Sequence, residues 1–238
     1  MAPLVLVHGF TQNRKCWGSI AATLGTGHEV IAVDAPGHGT ASAVRADLWE
    51  TADLLADTAA GTYVGYSMGA RMVLHVALAH PDRVERLVLV SGTAGIEHEA
   101  ERAARVERDD ELARSLERDG LDVFLERWLA QPLFATLPAT ARDDDERREN
   151  TVEGLASSLR LAGTGTQDSL WDRLPTLDMP VLIVAGAGDE RFTAAAKRMH
   201  DSIPNAMLRL IADAGHACHR EREADFSTIV LDWLAQGT

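Results

Sequence analysis

Cysteine is nearly missing from this chain: Cys16 and Cys218 are the only two in 238 residues. Two thiols so far apart exclude a disulfide framework and the paired spacing of a structural zinc site. Free thiols in a reducing compartment are the expectation, with a single Cys16–Cys218 disulfide left open. Positive charge is also scarce, since 23 Lys+Arg stand against 36 Asp+Glu for a formal net charge of -13. A surface of that sign repels phosphate backbones and anionic lipid, and no basic run offsets it. Neither nucleic acid nor a membrane is therefore an expected partner. No apolar stretch reaches bilayer-spanning length, and residues 1–9 lack the basic leader and long apolar run of a signal peptide, so the protein reads as cytoplasmic. Internal repeats and low-complexity tracts are absent. So is any His/Cys/Asp/Glu cluster with ligand spacing, and neither a metal nor another cofactor is expected.

With 46% hydrophobic and 25% charged residues, the composition is that of an ordinary globular protein. Six short runs rich in Val, Ile and Leu recur along the chain: residues 4–9, 30–34, 62–67, 86–92, 180–186 and 207–212. Each ends in a small or acidic residue, and stretches of helical length lie between them. Near-continuous apolar strands alternating with helices predict an α/β fold, with a mostly parallel sheet covered on both faces. The interval between the fourth and fifth runs is too long for one crossover and highly charged. It predicts an inserted helical cap over residues 96–175, with the core in residues 1–95 and 176–238. Leu112, Leu116, Val123, Phe124 and Trp128 are its expected buried positions. In such sheets ligands bind beyond the carboxyl ends of the strands, which directs attention to the residues just after each run.

The sharpest of these is Gly65-Tyr66-Ser67-Met68-Gly69, between a strand and a helical stretch. A G-x-S-x-G turn there holds the serine exposed on a tight elbow. A helix N-cap serine is the plainer alternative. A catalytic serine needs an imidazole, and the imidazole a carboxylate to orient it. His216 follows the last run on a short loop, whereas His28, His80 and His200 read as surface residues and His219 as a neighbour. Asp189 follows the fifth run, with Asp213 and Asp178 as weaker candidates. The order Ser67, Asp189, His216 is that of an α/β-hydrolase triad. The backbone N–H groups of Phe10, after His8-Gly9, and of Met68, at a helix start, are the expected oxyanion donors. His8 and His38 read as structural.

Taken together, these residues resemble the α/β-hydrolase superfamily over essentially the whole chain. One departure is that the chain opens at the strand leading to His8-Gly9, so the antiparallel strands that usually begin this fold are expected to be missing. A finer resemblance is to the 2-succinyl-6-hydroxy-2,4-cyclohexadiene-1-carboxylate synthases of menaquinone biosynthesis. It rests on HGFTQNRKCW at 8–17, GYSMGAR at 65–71, ERAARVERDDELA at 101–113, RWLAQPLF at 127–134 and GLASSLRLAGTGTQ at 154–167. That resemblance implies a lyase on a hydrolase scaffold, in which Ser67, activated by His216 and Asp189, removes a proton beside a succinyl ketone and the enolate expels pyruvate. It also implies that Arg105 and Arg148 bind substrate carboxylates, with Arg147 an alternative to Arg148. Trp128 would wall the pocket or serve as a plain core anchor, and Tyr66 would line the site. The stretch Gly92-Thr93-Ala94-Gly95 lacks the proline expected of relatives, which affects only the local turn.

Arg71 supports an anionic substrate on physical grounds. It stands one helical turn after Ser67, and its side chain leans back toward the helix N-terminus, so its guanidinium is aimed at the pocket. A structural ion pair with a nearby carboxylate is the alternative. The expected partner is thus a small polycarboxylate. A carboxylic-ester or carbon–carbon bond hydrolase using the same triad is the second reading, and a non-catalytic binding module a third. Oligomeric state is not legible.

Overall fold

The computed structural model describes residues 2–236. Six strands, β1 (Leu4–Val7), β2 (Val30–Val33), β3 (Gly61–Tyr66), β4 (Val84–Val90), β5 (Val181–Gly186) and β6 (Ala206–Ile211), form one sheet in the order β2-β1-β3-β4-β5-β6. Every pairing is parallel. Each predicted run holds one strand, and none of the described strands is antiparallel. From β1 the chain crosses to β2 on one side and returns to β3 on the other. This reversal opens a crevice at the carboxyl ends of β1 and β3.

Alternation along the strands divides the core into two layers. Val5, Val7, Tyr63, Leu87, Leu89, Val181 and Ile183 pack against α2 (Leu48–Ala56), α3 (Met68–Ala79) and α8 (Glu190–Ser202), numbering the helices in chain order. Leu4, Leu6, Val64, Val88, Val90, Leu182 and Val184 face α1 (Gly18–Leu24) and α10 (Glu223–Ala235). Burying each such side chain contributes on the order of 1.5–3 kcal/mol. Coverage on both faces holds for β1, β3, β5 and most of β4. The edge strands depart from the expectation: β2 is half-buried throughout, and β6 leaves Leu210 39% exposed because neither edge is fully roofed by helices.

Between β4 and β5 the chain forms α4 (Glu99–Asp119), α5 (Leu121–Leu129), α6 (Asp144–Arg147) and α7 (Val152–Leu161). These helices have a small apolar core of their own, in which Leu116 and Phe124 meet Leu155 and Leu159. Leu112 and Trp128 pack at its margin. Val123, expected inside, is exposed, because α5 turns its neighbours Phe124 and Leu125 inward instead. Further on, Leu170, Trp171 and Leu174 pack with the main core. The one-turn helix α9 (Cys218–Glu221) lies just before α10. Cys16 and Cys218 are both buried free thiols, so no disulfide joins them.

Two fully buried histidines beyond the end of β1 are held in neutral form. His8 donates from Nδ1 to the Gly9 carbonyl at 2.8 Å and accepts the Ala35 N–H at its other nitrogen at 3.1 Å, a pattern that only a neutral imidazole meets. His38 packs edge-on against His8 and Phe10 and donates to the Pro36 carbonyl at 3.0 Å. Burial pushes their pKa values down, to about 4 for His8 and about 3 for His38. Unfolded, both imidazoles would protonate near pH 6.5. Their contribution to stability is therefore intact above that pH and is lost as the pH falls toward 4 and 3. The melting temperature should drop between pH 7 and pH 5, and a flat profile over that range would contradict this account.

Candidate active site

β3 ends in the elbow. Ser67 is forced to φ 52°, a conformation that side chains rarely adopt, and its N–H is held by the Val90 carbonyl at 2.8 Å. The flanking glycines make the turn sterically possible. A Cβ on Gly65 would lie 2.3 Å from the Gly69 carbonyl oxygen, and one on Gly69 would lie 2.1 Å from that of Val7. Ser67 thereby stands half-buried above the sheet at the start of α3.

His216 Nε2 lies 3.0 Å from Ser67 Oγ, and its Nδ1 lies 3.0 Å from Asp189 Oδ2. The imidazole is 2% exposed and packed among Tyr66, Phe134 and Phe192. The second oxygen of Asp189 accepts the Phe192 N–H at 3.1 Å. Burial works against its charge, yet the bonds from His216 and Phe192 prevail and hold the carboxyl below the usual carboxylate range. The structure thus brings Ser67, Asp189 and His216 together. Asp213 instead pairs with Arg222 at the surface, while His80 and His200 pair with Asp53 and Asp201. His219 is a buried neighbour whose ring lies 4.1 Å from that of Tyr66.

Residues that the motifs did not reveal fix the histidine loop. Glu221 accepts the N–H groups of Gly215 at 2.7 Å and Ala217 at 3.1 Å, on either side of His216. Ser91, itself at φ 48°, donates to the His216 carbonyl at 2.8 Å. Phe10 and Met68 both line the cavity in front of Ser67, and the N–H of neither has an acceptor among the described residues. Such free donors suit an oxyanion.

The cavity has a volume of about 320 Å³ and is bordered by Ser67, His216, Tyr66, Trp128 and the arginines Arg71, Arg105, Arg108, Arg147 and Arg191. Arg71 is 7% exposed and makes no ion pair among the described residues; its guanidinium donates only to the carbonyls of Ala162 at 2.9 Å and Gly163 at 3.2 Å. Burial, with Arg105 close by, lowers its pKa to about 10, which still leaves it charged at neutral pH. Arg105 lines the wall while donating to Asp109 at 2.8 Å. Arg148 does not reach the cavity. It is exposed and pairs with Asp122 and Asp145, whereas its neighbour Arg147 is 2% exposed and points inward to Thr11. Consecutive helical residues diverge by about 100°, so only one of the two can face the site. Tyr66 is buried in the wall, its hydroxyl pKa raised chiefly by burial. Trp128 packs edge-on against Phe10, and its buried indole N–H has no acceptor among the described residues.

A parallel sheet with an inserted helical region, a serine elbow and a Ser-His-Asp hydrogen-bond chain define an α/β-hydrolase architecture. The family model for the alpha/beta hydrolase fold matches residues 2–223, and the chain belongs to that family. Within it, the chain is closely related to 2-succinyl-6-hydroxy-2,4-cyclohexadiene-1-carboxylate synthases. It is 35% identical to a putative enzyme of that name from Bacillus subtilis (strain 168), an alignment that covers 97% of this chain and 89% of the relative. The synthase from Enterobacter sp. (strain 638) is 33% identical, over 93% and 87% of the two chains. MenH from S. aureus superposes with a TM-score of 0.91 at 31% identity, over 99% of this chain and 94% of the other. A thermophilic esterase from Thermogutta terrifontis also superposes, with a TM-score of 0.85 over 99% of this chain and 90% of the other, but at 23% identity that likeness concerns the fold alone. No helix among the described residues is long and apolar enough to cross a membrane.

Proposed function

We propose that this chain is a cytoplasmic lyase that eliminates pyruvate from 2-succinyl-5-enolpyruvyl-6-hydroxy-3-cyclohexene-1-carboxylate, giving 2-succinyl-6-hydroxy-2,4-cyclohexadiene-1-carboxylate. The observation that carries this reading is one cavity in which the Ser67–His216 pair meets a buried arginine, Arg71, that makes no ion pair among the described residues, the one nearby carboxylate, Asp109, being bound to Arg105. Arg105 and Arg147 border the same space. A multiply charged anion fits such a lining, because guanidinium groups bind carboxylates through paired, charge-assisted bonds. An acidic protein would repel that substrate everywhere else.

In this mechanism His216, oriented by Asp189, takes the Ser67 hydroxyl proton as Ser67 Oγ removes a proton from the carbon beside the succinyl ketone. The electrons of that C–H bond become the enolate, whose oxygen is held by the Phe10 and Met68 N–H groups. Collapse of the enolate forms a C2=C3 double bond, shifts the existing C3=C4 double bond to C4=C5 and breaks the C5–O bond to the enolpyruvyl group. That group leaves as the enolate of pyruvate and takes up at its carbon the proton held by the Ser67–His216 pair or one from water. Pyruvate leaves, and no acyl-enzyme forms. Trp128 supplies a ring wall to the cavity.

Pyruvate release from the enolpyruvyl substrate, followed continuously together with the appearance of the conjugated diene, tests the reading. Equimolar formation of the two is expected. An acyl-enzyme burst with activated esters and no pyruvate would favour the hydrolase instead. Activity is also expected to survive exhaustive chelation, since no group of three or more His, Cys, Asp or Glu among the described residues could hold a metal ion. Recovery of lost turnover on adding Mg²⁺ or Zn²⁺ would contradict that expectation.

A further inference from the structure

Helix α6 is a single turn, yet it carries Arg147 into the cavity and is tied at both ends to loops that bear reacting groups. At its C-terminal end, buried Asn150 accepts the Gly39 N–H at 2.8 Å and donates to the carbonyls of Thr11 at 2.7 Å and Arg147 at 3.0 Å. Asn13 donates to the Glu146 carbonyl at 2.6 Å. These bonds fix that end to the loop holding Phe10. At the other end stands Asp143, in the left-handed region at φ 56°. Its carboxylate accepts Arg220 Nη2 at 2.5 Å, and its carbonyl accepts the Arg147 N–H at 2.9 Å. Arg220 lies in α9, four residues after His216, and also pairs with Glu223. Both side chains of the Asp143–Arg220 pair are 9% exposed.

We infer that the Asp143–Arg220 ion pair positions Arg147 relative to His216, so that a substrate carboxylate held by the one places the acidic C–H at the Ser67 served by the other. The inference rests on the lyase reading above and on Arg147 as a carboxylate-binding group. Stability alone is a weak reason for the pair. A buried ion pair carries a desolvation cost on both sides, and this one leaves Asp143 Oδ2 and Arg220 Nε without partners among the described residues. Its geometric effect is specific. The pair spans from the residue whose carbonyl starts the turn of Arg147 to the turn that follows the His216 loop.

The test uses Asp143→Asn, Arg220→Gln and the double variant of the full chain, with pyruvate release, thermal melting and two chemical readouts. The first readout is covalent labelling of Ser67 by a neutral fluorophosphonate, in which Oγ displaces fluoride from phosphorus; it reads the triad alone. The second is protection from that labelling by succinate, which reads carboxylate binding without turnover. Each single variant should lower kcat about 10-fold, because the acidic C–H is no longer placed at Ser67 Oγ, raise KM and weaken succinate protection several-fold, and leave labelling unchanged. The double variant should be no worse than about twofold beyond the poorer single one, because both remove the same interaction. Arg220→Lys should restore part of the loss, and it replaces any variant that fails to fold. Unchanged KM and protection in folded variants, additive losses in the double variant, or labelling that falls in parallel would overturn the inference. If the parent releases no pyruvate, the lyase reading fails, while succinate protection still decides the role of the ion pair.

Discussion

Ser67→Ala should lower kcat by at least ~10³-fold, the scale seen when a triad member is removed, while the protein melts at nearly the parent temperature. The two halves of this expectation have separate causes. Chemistry is lost because Oγ is the atom that Nε2 of His216 addresses, at 3.0 Å. Stability is kept because the hydroxyl bonds only to that ring nitrogen and stands half-buried at the cavity, so no core contact goes with it. The turn itself is held by the Ser67 N–H on Val90 and by the room that Gly65 and Gly69 leave, all of which alanine preserves. Alanine tolerates φ 52° no worse than serine does. Near-parental pyruvate release by a folded Ser67→Ala protein would remove the serine from the mechanism.

How far the sequence discloses this site depends on whether a residue's role is local. The elbow is legible because its constraint lies within five residues: two glycines, a serine, a strand before and a helix after. His216 and Asp189 are legible because each directly follows a strand of a parallel sheet, whose carboxyl ends all face one way. The strands themselves announce a sheet covered on both faces, but hydrophobicity does not reveal which strand lies at an edge, and β6 carries an apolar run without full burial. Arg147 and Arg148 defeat sequence reading for a different reason. They are adjacent, and only the packing of α6 against Thr11 decides which guanidinium turns inward. Glu221, Ser91 and Asn150 give no signal at all, because they act through backbone groups of partners brought near only by the fold. Arg71 is intermediate. Its spacing from Ser67 fixes its direction, but that its guanidinium meets two carbonyls and makes no ion pair among the described residues becomes evident only in three dimensions.

The Arg71 guanidinium, which makes no ion pair among the described residues, separates the proposed lyase from a generic esterase built on the same triad. Arg71→Ala should cut kcat/KM for the enolpyruvyl substrate ~30- to 1000-fold, equivalent to roughly 2 to 4 kcal/mol, the cost of losing a charge-assisted contact in a desolvated pocket. The carbonyls of Ala162 and Gly163 hold part of the fork, and its other N–H groups remain for a ligand on the cavity side. Lysine keeps the charge but not the planar geometry, so Arg71→Lys should recover only part of the loss. Labelling of Ser67 by a neutral fluorophosphonate should proceed in Arg71→Ala almost as in the parent, because that reagent offers no carboxylate to hold. The competing explanation is structural, since the guanidinium ties α3 to the end of α7 through those two carbonyls. Removing it would then loosen the inserted region and slow both reactions alike. Melting temperature, labelling rate and kcat/KM measured on the same preparations distinguish the two accounts. Equal losses in labelling and turnover, or a large fall in melting temperature, would assign Arg71 to the joint between helices; a selective loss of turnover would assign it to the substrate.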